Sequence, residues 1–387
     1  MEKIGIKILI CIMLTIASMP ISSSIECNVF KNNELNSLTY NGTTLYVGGS
    51  GPGNYSSIQD AIDNANDGDT IFVYDDSSPY NEKLYIQKSI NLLGENKETT
   101  IINGDGSGTI IRISTQHSPG ITLRGFTIQN GGGTQHSLYG GISVSSSSYP
   151  FTICDNIITH DGWGIVISGC DISPGSIISN NTIINNSGGG IILCGIDLNN
   201  IIITKNIILN NSFGISIEWA HNNIITDNVI MHNVRGISLY KLLSEYNNTI
   251  ITRNTISNNE FGIETEDSCN FIISENNITN NKYGMFIMSS TATISKNNIA
   301  ENSKYGIYLY TSSRKNRITE NNFINNTRHA SFNIVMLPPK PTFNYWMQNY
   351  WDDWINIPFP KIIVGRLFYI VPKIEFDLHP AKEPYII

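Results

Sequence analysis

Charged residues are scarce in this chain. Of its 387 residues, 24 are Lys or Arg and 32 are Asp or Glu, so that only 14% are charged and the formal net charge is −8. Nucleic acids and anionic membrane surfaces are bound through clustered positive charge. The composition therefore argues against both as partners.

Cysteine is also scarce, and its spacing matches no familiar motif. The six cysteines include no Cys-x-x-Cys pair. Cys170 and Cys194 lie one repeat apart after equivalent strands, and a disulfide between adjacent coils would join them if their Cα atoms come within about 7 Å. The alternative interpretation is that both are small apolar residues.

Helical periodicity is missing from most of the chain, and a short repeat takes its place. The repeat recurs eight times, about every 22 to 26 residues, with a Gly-Ile-x-aliphatic segment in nearly every copy. Apolar residues in alternation over so short a period predict short strands joined by tight turns. The repeat glycines are Gly141, Gly164, Gly190, Gly214, Gly236, Gly262, Gly284 and Gly306.

One copy, residues 200–217, shows how each coil is built. Its pattern predicts strands over 201–204, 207–209 and 214–217. Alternate strand residues share a face, so each strand turns isoleucines inward that a single coil cannot bury. Stacked coils about 4.8 Å apart bury them. The sequence therefore predicts an all-β solenoid with three strands per coil.

Asparagine recurs at the corner between the first and second strands of each coil. We expect this residue to turn the chain, often with positive φ, and its side-chain amide to bond to the next coil. The column is interpreted as a structural ladder without a catalytic role. Its members are Asn156, Asn181, Asn206, Asn228, Asn254, Asn276, Asn297 and Asn321.

The two ends of the chain differ from the repeats. Residues 1–24 have the lysines, short apolar run and small residues of a secretory signal peptide, and 25–43 read as a linker. The mature protein is therefore expected outside the cytoplasmic membrane, with the apolar run either cleaved off or retained as an anchor. No later segment is predicted to cross a membrane. Residues 44–135 are predicted as an N-terminal cap with the first coils, 136–335 as the repeat array and 336–387 as a C-terminal cap.

Each cap has its own pattern. Residues 55–65 predict an amphipathic helix that opens at Ser56 or Ser57 and covers the open strand edges of the first coil. Residues 343–354 contain five Tyr or Trp residues and are interpreted as an aromatic cap over the last coil.

Outward positions of the third strand form two columns with carboxylates and aromatic rings in their second halves. Carboxylates two residues apart on a strand are separated by about 6.5 to 7 Å, which suits an inverting glycoside hydrolase. Aromatic faces beside carboxylates are typical of sugar binding. The candidate catalytic residues are Glu218, Glu264 and Glu266, and the candidate carbohydrate-binding residues are Tyr240, Phe286, Tyr308 and Tyr310. The alternative is an ordinary exposed sheet.

A further aromatic column stands just before the repeat glycines and is interpreted as filling or covering corners. Its members include Trp163, Phe213, Phe261, Tyr283 and Tyr305.

No metal site is predicted. The seven histidines are scattered, without an arrangement that would converge on one copper ion. No cofactor is identified, although turn carbonyls could bind calcium without a motif.

The chain resembles the right-handed parallel β-helix proteins of the pectin lyase-like superfamily. The resemblance is carried by the N-terminal segment YSSIQDAIDNANDGDTIFV, the following YNEKLYIQKSINLLGE and the NxIxxNxxxGIxL coils. Within it, the chain looks most like secreted archaeal and bacterial proteins with repeats of the NosD type, named after a periplasmic copper-associated accessory protein. Such repeats are also described as carbohydrate-binding and sugar-hydrolysis domains. The polygalacturonase-like motifs Asn-Thr-Asp, Asp-Asp and Gly-His-Gly are missing from the coils, as is the clustered Asp set of pectate lyases.

The sequence thus favours an exported β-helix protein that binds polysaccharide or a surface glycan, or serves as an extracellular scaffold. It leaves two alternatives, a glycan-cleaving hydrolase or lyase and a NosD-like copper-handling protein. Whether the protein is an enzyme, and its oligomeric state, stay open at this stage.

Overall fold

The protein folds as a right-handed parallel β-helix, as its sequence predicts. The structure, a computed structural model, describes residues 42–115, 120–133, 138–169, 172–196, 198–242, 247–311, 313, 315–335, 343–354 and 359–387. The predicted signal peptide and nearly all of the linker fall outside this range. In the described part of the chain, no helix is long and apolar enough to cross a membrane.

A complete coil contributes one strand to each of three parallel sheets, which we number 1 to 3, whereas the first two coils and the last one are incomplete. Sheet 1 contains Thr44–Val47, Thr70–Val73, Asn91–Gly94, Ile121–Arg124, Phe151–Cys154, Ile177–Ser179, Ile202–Thr204, Ile224–Thr226, Ile250–Thr252, Phe271–Ser274, Ala292–Ser295, Arg317–Thr319, Tyr345–Met347 and Val371–Asp377. Sheet 2 contains Ile101–Asn103, Thr127–Gln129, Ile157–Thr159, Thr182–Ile184, Ile207–Leu209, Val229–Met231, Thr255–Ser257, Asn277–Thr279, Asn298–Ala300, Asn322–Ile324 and Tyr350–Trp351. Sheet 3 contains Leu84–Ile86, Ile111–Thr115, Gly140–Ser147, Trp163–Ser168, Gly189–Cys194, Phe213–Glu218, Arg235–Tyr240, Phe261–Glu266, Tyr283–Met288, Tyr305–Tyr310, Ala330–Ile334 and Lys361–Leu367.

The interior is a set of stacked aliphatic columns. In the coil that begins near residue 200, the inward side chains Ile203, Ile208, Ile215 and Ile217 are all fully buried. Equivalent residues pair in register with the coils on either side, as Ile215 does with Ile191 and Ile237. Because no coil can bury these side chains alone, the stack forms one continuous core.

The predicted asparagine ladder is buried, and its amides are bonded from coil to coil. The Oδ1 of Asn276, for example, accepts hydrogen bonds from the backbone N and the Nδ2 of Asn254, both at 3.0 Å. The Nδ2 of Asn254 also donates to the backbone carbonyl of Ile225 at 2.9 Å. Each rung therefore satisfies several buried polar groups that would otherwise cost about 1–3 kcal/mol apiece.

The expectation that these asparagines take positive φ is wrong. The residue before each rung has the left-handed conformation instead, as in Arg253 with φ of 54° and Glu275 with φ of 57°. This residue turns the chain with its side chain outward, and the next residue can then point its amide inward. The turn position therefore accepts Arg, Lys, Glu and Asp as well as Asn.

A second asparagine ladder, between the second and third strands, was missed in the sequence. Its rungs use the same bonds, with Asn259 Nδ2 donating to Asn281 Oδ1 at 3.1 Å and to the Ile230 carbonyl at 3.2 Å. The rungs are Asn186, Asn211, Asn233, Asn259, Asn281, Asn302 and Asn326. A Cβ on Gly262 would lie 2.5 Å from the carbonyl oxygen of Gly284 and 3.0 Å from Asn281 Nδ2. The repeated glycine thus makes room for this ladder.

The helix Ile58–Asn64 covers the first coil and is shorter than predicted. Ser57 is its N-cap and accepts a hydrogen bond from the backbone N of Asp60. The Glu82 carboxylate accepts from the backbone N of Ile58 and Gln59, each at 2.9 Å. A carboxylate at this end also suits the helix dipole.

The aromatic C-terminal segment adds part of another coil. Tyr345–Met347 and Tyr350–Trp351 extend sheets 1 and 2, and the buried Trp351 ring stacks on Phe323 with centroids 4.2 Å apart. The antiparallel hairpin formed by Lys361–Leu367 and Val371–Asp377 follows it. The hairpin joins sheets 1 and 3 at the C-terminal end of the solenoid.

Candidate functional site

Aromatic side chains form a continuous surface on the outside of sheet 3, which we call the aromatic ledge. The ring centroids of Phe261 and Tyr283 are 5.0 Å apart and nearly parallel, and those of Tyr305 and Tyr308 are 4.7 Å apart. Phe286 contacts rings in both outward columns and in the column before the glycines. The ledge consists of Phe261, Tyr283, Phe286, Tyr305, Tyr308, Tyr310 and Tyr369.

The structure brings together three of the four predicted carbohydrate-binding residues, Phe286, Tyr308 and Tyr310. Tyr240 stands three coils away, separated from Tyr310 by Glu266 and Met288 in the same column. The Lys241 ammonium instead lies over the Tyr240 ring, 4.8 Å from its centroid.

The aromatic column before the glycines does not fill corners at Phe261, Tyr283 and Tyr305. These rings are partly exposed and stack beside the predicted residues on the same face. The column stands three residues before the first outward position, as Tyr283 does before Phe286, so strict alternation along the strand would not place it on this face.

Tyr369 joins the ledge from the C-terminal hairpin. Its ring lies 6.3 Å from that of Tyr310, and their hydroxyl groups are hydrogen-bonded. Phe368 and Tyr369 both have positive φ, at 52° and 64°, a conformation that is strained for bulky residues. Sequence spacing offers no signal for this contact, because the two tyrosines lie 59 residues apart.

The three predicted catalytic carboxylates stand in two columns of sheet 3 with different surroundings. Glu264 forms an ion pair with Arg235, whose guanidinium lies over the Phe213 ring. Burial, with Asp267 and Glu264 nearby, raises the pKa of Glu266. Glu218 lies two coils from Glu266 and accepts a hydrogen bond from Ser216.

A cleft of about 860 Å³ opens where the ledge reaches the C-terminal hairpin. Tyr305, Tyr308 and Tyr369 of the ledge form part of its wall. Arg328 and Arg366 also line it, and Lys361 approaches from the hairpin. The cleft therefore combines aromatic rings with hydrogen-bond donors.

A histidine and two aspartates lie together in this cleft, and sequence spacing did not suggest them. His329 Nε2 is 2.7 Å from Asp352 Oδ1 and 3.4 Å from Asp353 Oδ1. Lys361 Nζ is 2.5 Å from the same Asp353 oxygen. His329 is buried, and burial lowers its pKa.

The second asparagine ladder determines which nitrogen of His329 carries the proton. Asn326 Oδ1 accepts from the N and Nδ2 of Asn302, at 3.0 and 2.8 Å. Its Nδ2 must then point at the Ile299 carbonyl and at His329 Nδ1, 2.7 and 3.3 Å away. Nδ1 therefore accepts a hydrogen bond from Asn326. Nε2 carries the ring proton and donates a hydrogen bond to the Asp352 carboxylate.

This arrangement does not fit a metal ion. Coordination through Nε2 would move the proton to Nδ1, where it would face the N–H of Asn326, and an unsatisfied buried donor costs about 1–3 kcal/mol. The Lys361 ammonium already neutralises Asp353. The other histidines that the structure describes belong to no group of three neighbouring ligand atoms, and His117 and His136 lie outside the described residues.

The predicted disulfide involves one residue that can be placed. Cys194 has a free thiol in the structure, and Cys170, the residue with which the sequence leaves a disulfide open, lies outside the described residues. Burial and the nearby Glu218 raise the pKa of the Cys194 thiol.

Comparisons with known proteins agree with this architecture. The family model described as periplasmic copper-binding protein (NosD) matches residues 62–241 and 196–354. None of the curated protein sequences matches the chain.

Several solved structures share the fold. The A-module of a mannuronan C-5 epimerase from Azotobacter vinelandii superposes with a TM-score of 0.63 at 14% identity, over 84% of this chain and 94% of that one. The Dettilon tailspike protein gives 0.58 at 16% identity, over 78% and 62%. A lacto-N-biosidase from Eubacterium ramulus gives 0.54 at 10% identity, over 79% and 66%. At such identities the likeness concerns the fold alone.

Proposed function

This chain belongs to the family of the periplasmic copper-binding protein NosD, and from that starting point we propose that it is an extracytoplasmic protein that binds polysaccharide on the aromatic ledge and in the adjoining cleft. The observation that carries the proposal is the continuity of six rings along sheet 3, joined by Tyr369 of the hairpin, into a polar cleft. A family known by a periplasmic member supports the location.

The ledge has the dimensions and chemistry that a chain of sugars requires. Sugar rings contact aromatic faces, and their hydroxyl groups need donors and acceptors beside those faces. Lys304 Nζ lies 4.7 Å from the Tyr283 ring centroid, and Arg328 donates a hydrogen bond to the Tyr305 hydroxyl at 3.4 Å. Rings on successive coils stand about 4.8 Å apart along the solenoid, so several sugar units would lie across them.

The relatives in fold are consistent with this use of the surface. The similar structures include an enzyme named for mannuronan and another named as a lacto-N-biosidase. Their names describe those proteins, and the proposal for this chain depends on its own rings and cleft.

The test is a glycan array with the mature protein, with and without calcium, followed by affinity measurements on any glycan that binds. We expect Tyr308→Ala to weaken binding at least tenfold, because its ring belongs to both ledge and cleft. Tyr85→Ala is the matched control, since Tyr85 is an exposed tyrosine of sheet 3 near the other end. An unchanged affinity in Tyr308→Ala would contradict the proposal.

Glycan hydrolysis is a second candidate, favoured by one observation. Glu266 has a raised pKa while Glu264, two residues away, is paired with Arg235. Two carboxylates with different environments suit the acid and base of a glycosidase. New reducing ends that disappear in Glu266→Gln, with binding retained, would establish this activity; their absence with the wild-type protein would exclude it for that glycan.

Copper binding finds no support in the described part of the chain. The His329, Asp352 and Asp353 group is the one cluster there with three neighbouring ligand atoms. Its histidine is protonated at the nitrogen that faces the carboxylates, and it offers neither thiolate nor thioether for Cu(I). Its residues are better understood as polar groups of the cleft.

A further inference from the structure

Trp219 occupies a turn position at which a large ring is strained. It follows the sheet 3 strand Phe213–Glu218 and has a positive φ of 63°, a conformation that is costly for bulky residues. The next three coils have Lys241, Asp267 and Ser289 at the same position. The indole ring is 36% exposed and belongs to neither buried cluster of the described residues. Core packing therefore does not explain the choice of tryptophan here.

Aromatic residues with this backbone conformation are few. Among the described residues, Trp219, Phe368 and Tyr369 are the Phe, Tyr and Trp residues with positive φ. Tyr369 already belongs to the aromatic ledge through its contact with Tyr310. Backbone strain of this kind is concentrated at sites that hold ligands. A ligand beside the indole ring would account for the strain at Trp219.

A pocket of about 450 Å³ opens beside the Trp219 ring. Lys241, Asp267, Ser289 and Thr291 also line it, so an aromatic ring stands next to hydrogen-bond donors and acceptors. A sugar ring requires this combination. The volume lies within the range of about 300–1,000 Å³ that is usual for small-molecule sites.

The pocket adjoins a column of sheet 3 that leads to the aromatic ledge. The Lys241 ammonium lies 4.9 Å from the Trp219 ring centroid and 4.8 Å from that of Tyr240. Tyr240 stands in the same outward column as Tyr310, three coils away. Three coil spacings amount to about 14 Å. A polysaccharide that lies along this column from the ledge would therefore reach the pocket.

The charges around the pocket indicate which kind of sugar it takes. A hydrogen bond with Tyr240, together with the nearby charges of Asp267 and Glu266, raises the pKa of Lys241. Glu218 is the neighbour of Tyr240 on the other side of the same column. These three carboxylates outnumber the single ammonium, so they would repel a sugar unit that carries a negative charge.

We propose that this pocket binds a neutral sugar unit of the polysaccharide that the aromatic ledge holds, with the sugar against Trp219 and its hydroxyl groups bonded to Lys241 and Asp267. The inference rests on the proposed function and adds a second contact to the same glycan chain. A second contact on one chain is intramolecular and raises the overall affinity. Long chains that span both sites should therefore bind more tightly than short ones.

The experiment is calorimetric titration of the mature protein with oligosaccharides cut from a glycan that it binds on the array, from the disaccharide to chains that span both sites. We expect the wild-type affinity to rise at least about tenfold from the short to the long chains. Trp219→Ala should abolish this rise and leave the affinity for the short chains unchanged. Tyr308→Ala should weaken the binding of both, because its ring belongs to the ledge and the cleft.

Trp219→Asn separates a binding role from a structural one. Because Asn tolerates positive φ better than Trp, we expect this variant to unfold about 1–3 °C above the wild type and still to lose the gain for long chains. Thr311→Asn is the matched control, since Thr311 is a β-branched turn residue with φ of 57° that does not line the pocket. It should relieve strain without changing the dependence on chain length.

A wild-type affinity that does not rise with chain length would overturn the inference, as would a Trp219→Ala variant that keeps the rise. A lower unfolding temperature in Trp219→Asn would show that the ring serves the fold and would overturn it as well. In each case a weakened Tyr308→Ala would leave the proposed function standing. If no glycan on the array binds, or if Tyr308→Ala binds every chain as the wild type does, both proposals are wrong.

Discussion

The two asparagine ladders have the same interior and different ends. In both, each amide bonds to the next rung and to a strand carbonyl. The first ladder runs from Asn156 to Asn349 and finishes on Asp377. The second begins at Asp161 and finishes on His329.

This difference shows that asparagine is replaced by other polar residues at the positions where the stack of coils ends. An interior rung must donate on one side and accept on the other, which an amide does without charge. The last position of a ladder has no further rung to which it must donate. A group that only accepts hydrogen bonds, such as the Asp377 carboxylate or His329 Nδ1, can therefore replace the amide there. Titratable groups are therefore built into the ends of both columns.

The largest expected effect is the loss of an interior rung. We expect Asn254→Ala to lower the free energy of unfolding by about 3 kcal/mol, because buried donors and acceptors on both neighbouring coils lose their partner at about 1–3 kcal/mol each. Asn259→Ala should cost less, since Asn254 Nδ2 has an additional bond to the Thr252 carbonyl at 2.9 Å. Urea unfolding measures both. Equal costs would show that the additional bond of Asn254 contributes nothing measurable, and a loss below 1 kcal/mol would show that water replaces the rung.

The next effect concerns the first position of the second ladder. Asp161 is 2% exposed, its Oδ2 has no partner, and burial raises its pKa well above 3.8. Burial therefore favours the neutral form of Asp161 in the folded protein. Its contribution to stability is complete below the unfolded pKa and is lost as the pH rises through the folded pKa.

We therefore expect Asp161→Asn to stabilise the protein at neutral pH by about 1–2 kcal/mol, since an amide restores the missing donor, and to flatten the fall in stability at rising pH. Thermal unfolding between pH 4 and 8 measures this. Asn186→Asp is the matched variant, because it places the same defect one rung further and should steepen that fall. A steeper pH dependence in Asp161→Asn would contradict the assignment.

The smallest effect on stability is expected at the last position of the second ladder, where the signal is spectroscopic. Nitrogen-15 NMR of His329 should show the proton on Nε2 at neutral pH. Because burial lowers the pKa of His329, its contribution to stability is present above its ordinary pKa of 6.5 and is lost as the pH falls through the lower folded value.

Stoichiometric Zn²⁺ or Cu²⁺ should leave these resonances unshifted. His379, which lies outside the cluster, provides an internal reference for non-specific binding. A proton found on Nδ1, or a shift confined to His329 on adding metal, would show that the ladder does not control the ring.

Much of the fold could be predicted because the spacing of residues within the repeat indicates where its strands and turns lie. Isoleucines in alternation, a corner asparagine and a glycine at fixed spacing predict three strands per coil, and the first ladder follows from the same spacing. The second ladder was in the sequence at the same interval, at Asn211, Asn233 and Asn259, and could have been found there. The relation of this ladder to the repeated glycines could not have been predicted, because it depends on how closely the glycine carbonyls of adjacent coils approach each other.

The candidate site was predicted only where it follows the register of one sheet. Phe286, Tyr308 and Tyr310 belong to columns that spacing alone defines. Tyr369 enters from a hairpin, and its contact with Tyr310 spans 59 residues. No local pattern could show it, because the hairpin obeys no repeat.

The sequence by itself determined the solenoid, its three sheets and its core, since each coil places equivalent residues one above the other and needs only its neighbours to be complete. The tertiary structure decided how the polar groups are bonded at the ends of the solenoid, where a coil has no neighbour on one side. There, Asp377 is buried because the last amide of the first ladder needs an acceptor, and the Asn326 amide faces the His329 ring because its oxygen is already bonded to Asn302. Those groups derive their state from contacts between distant segments, and such contacts exist only in the folded chain.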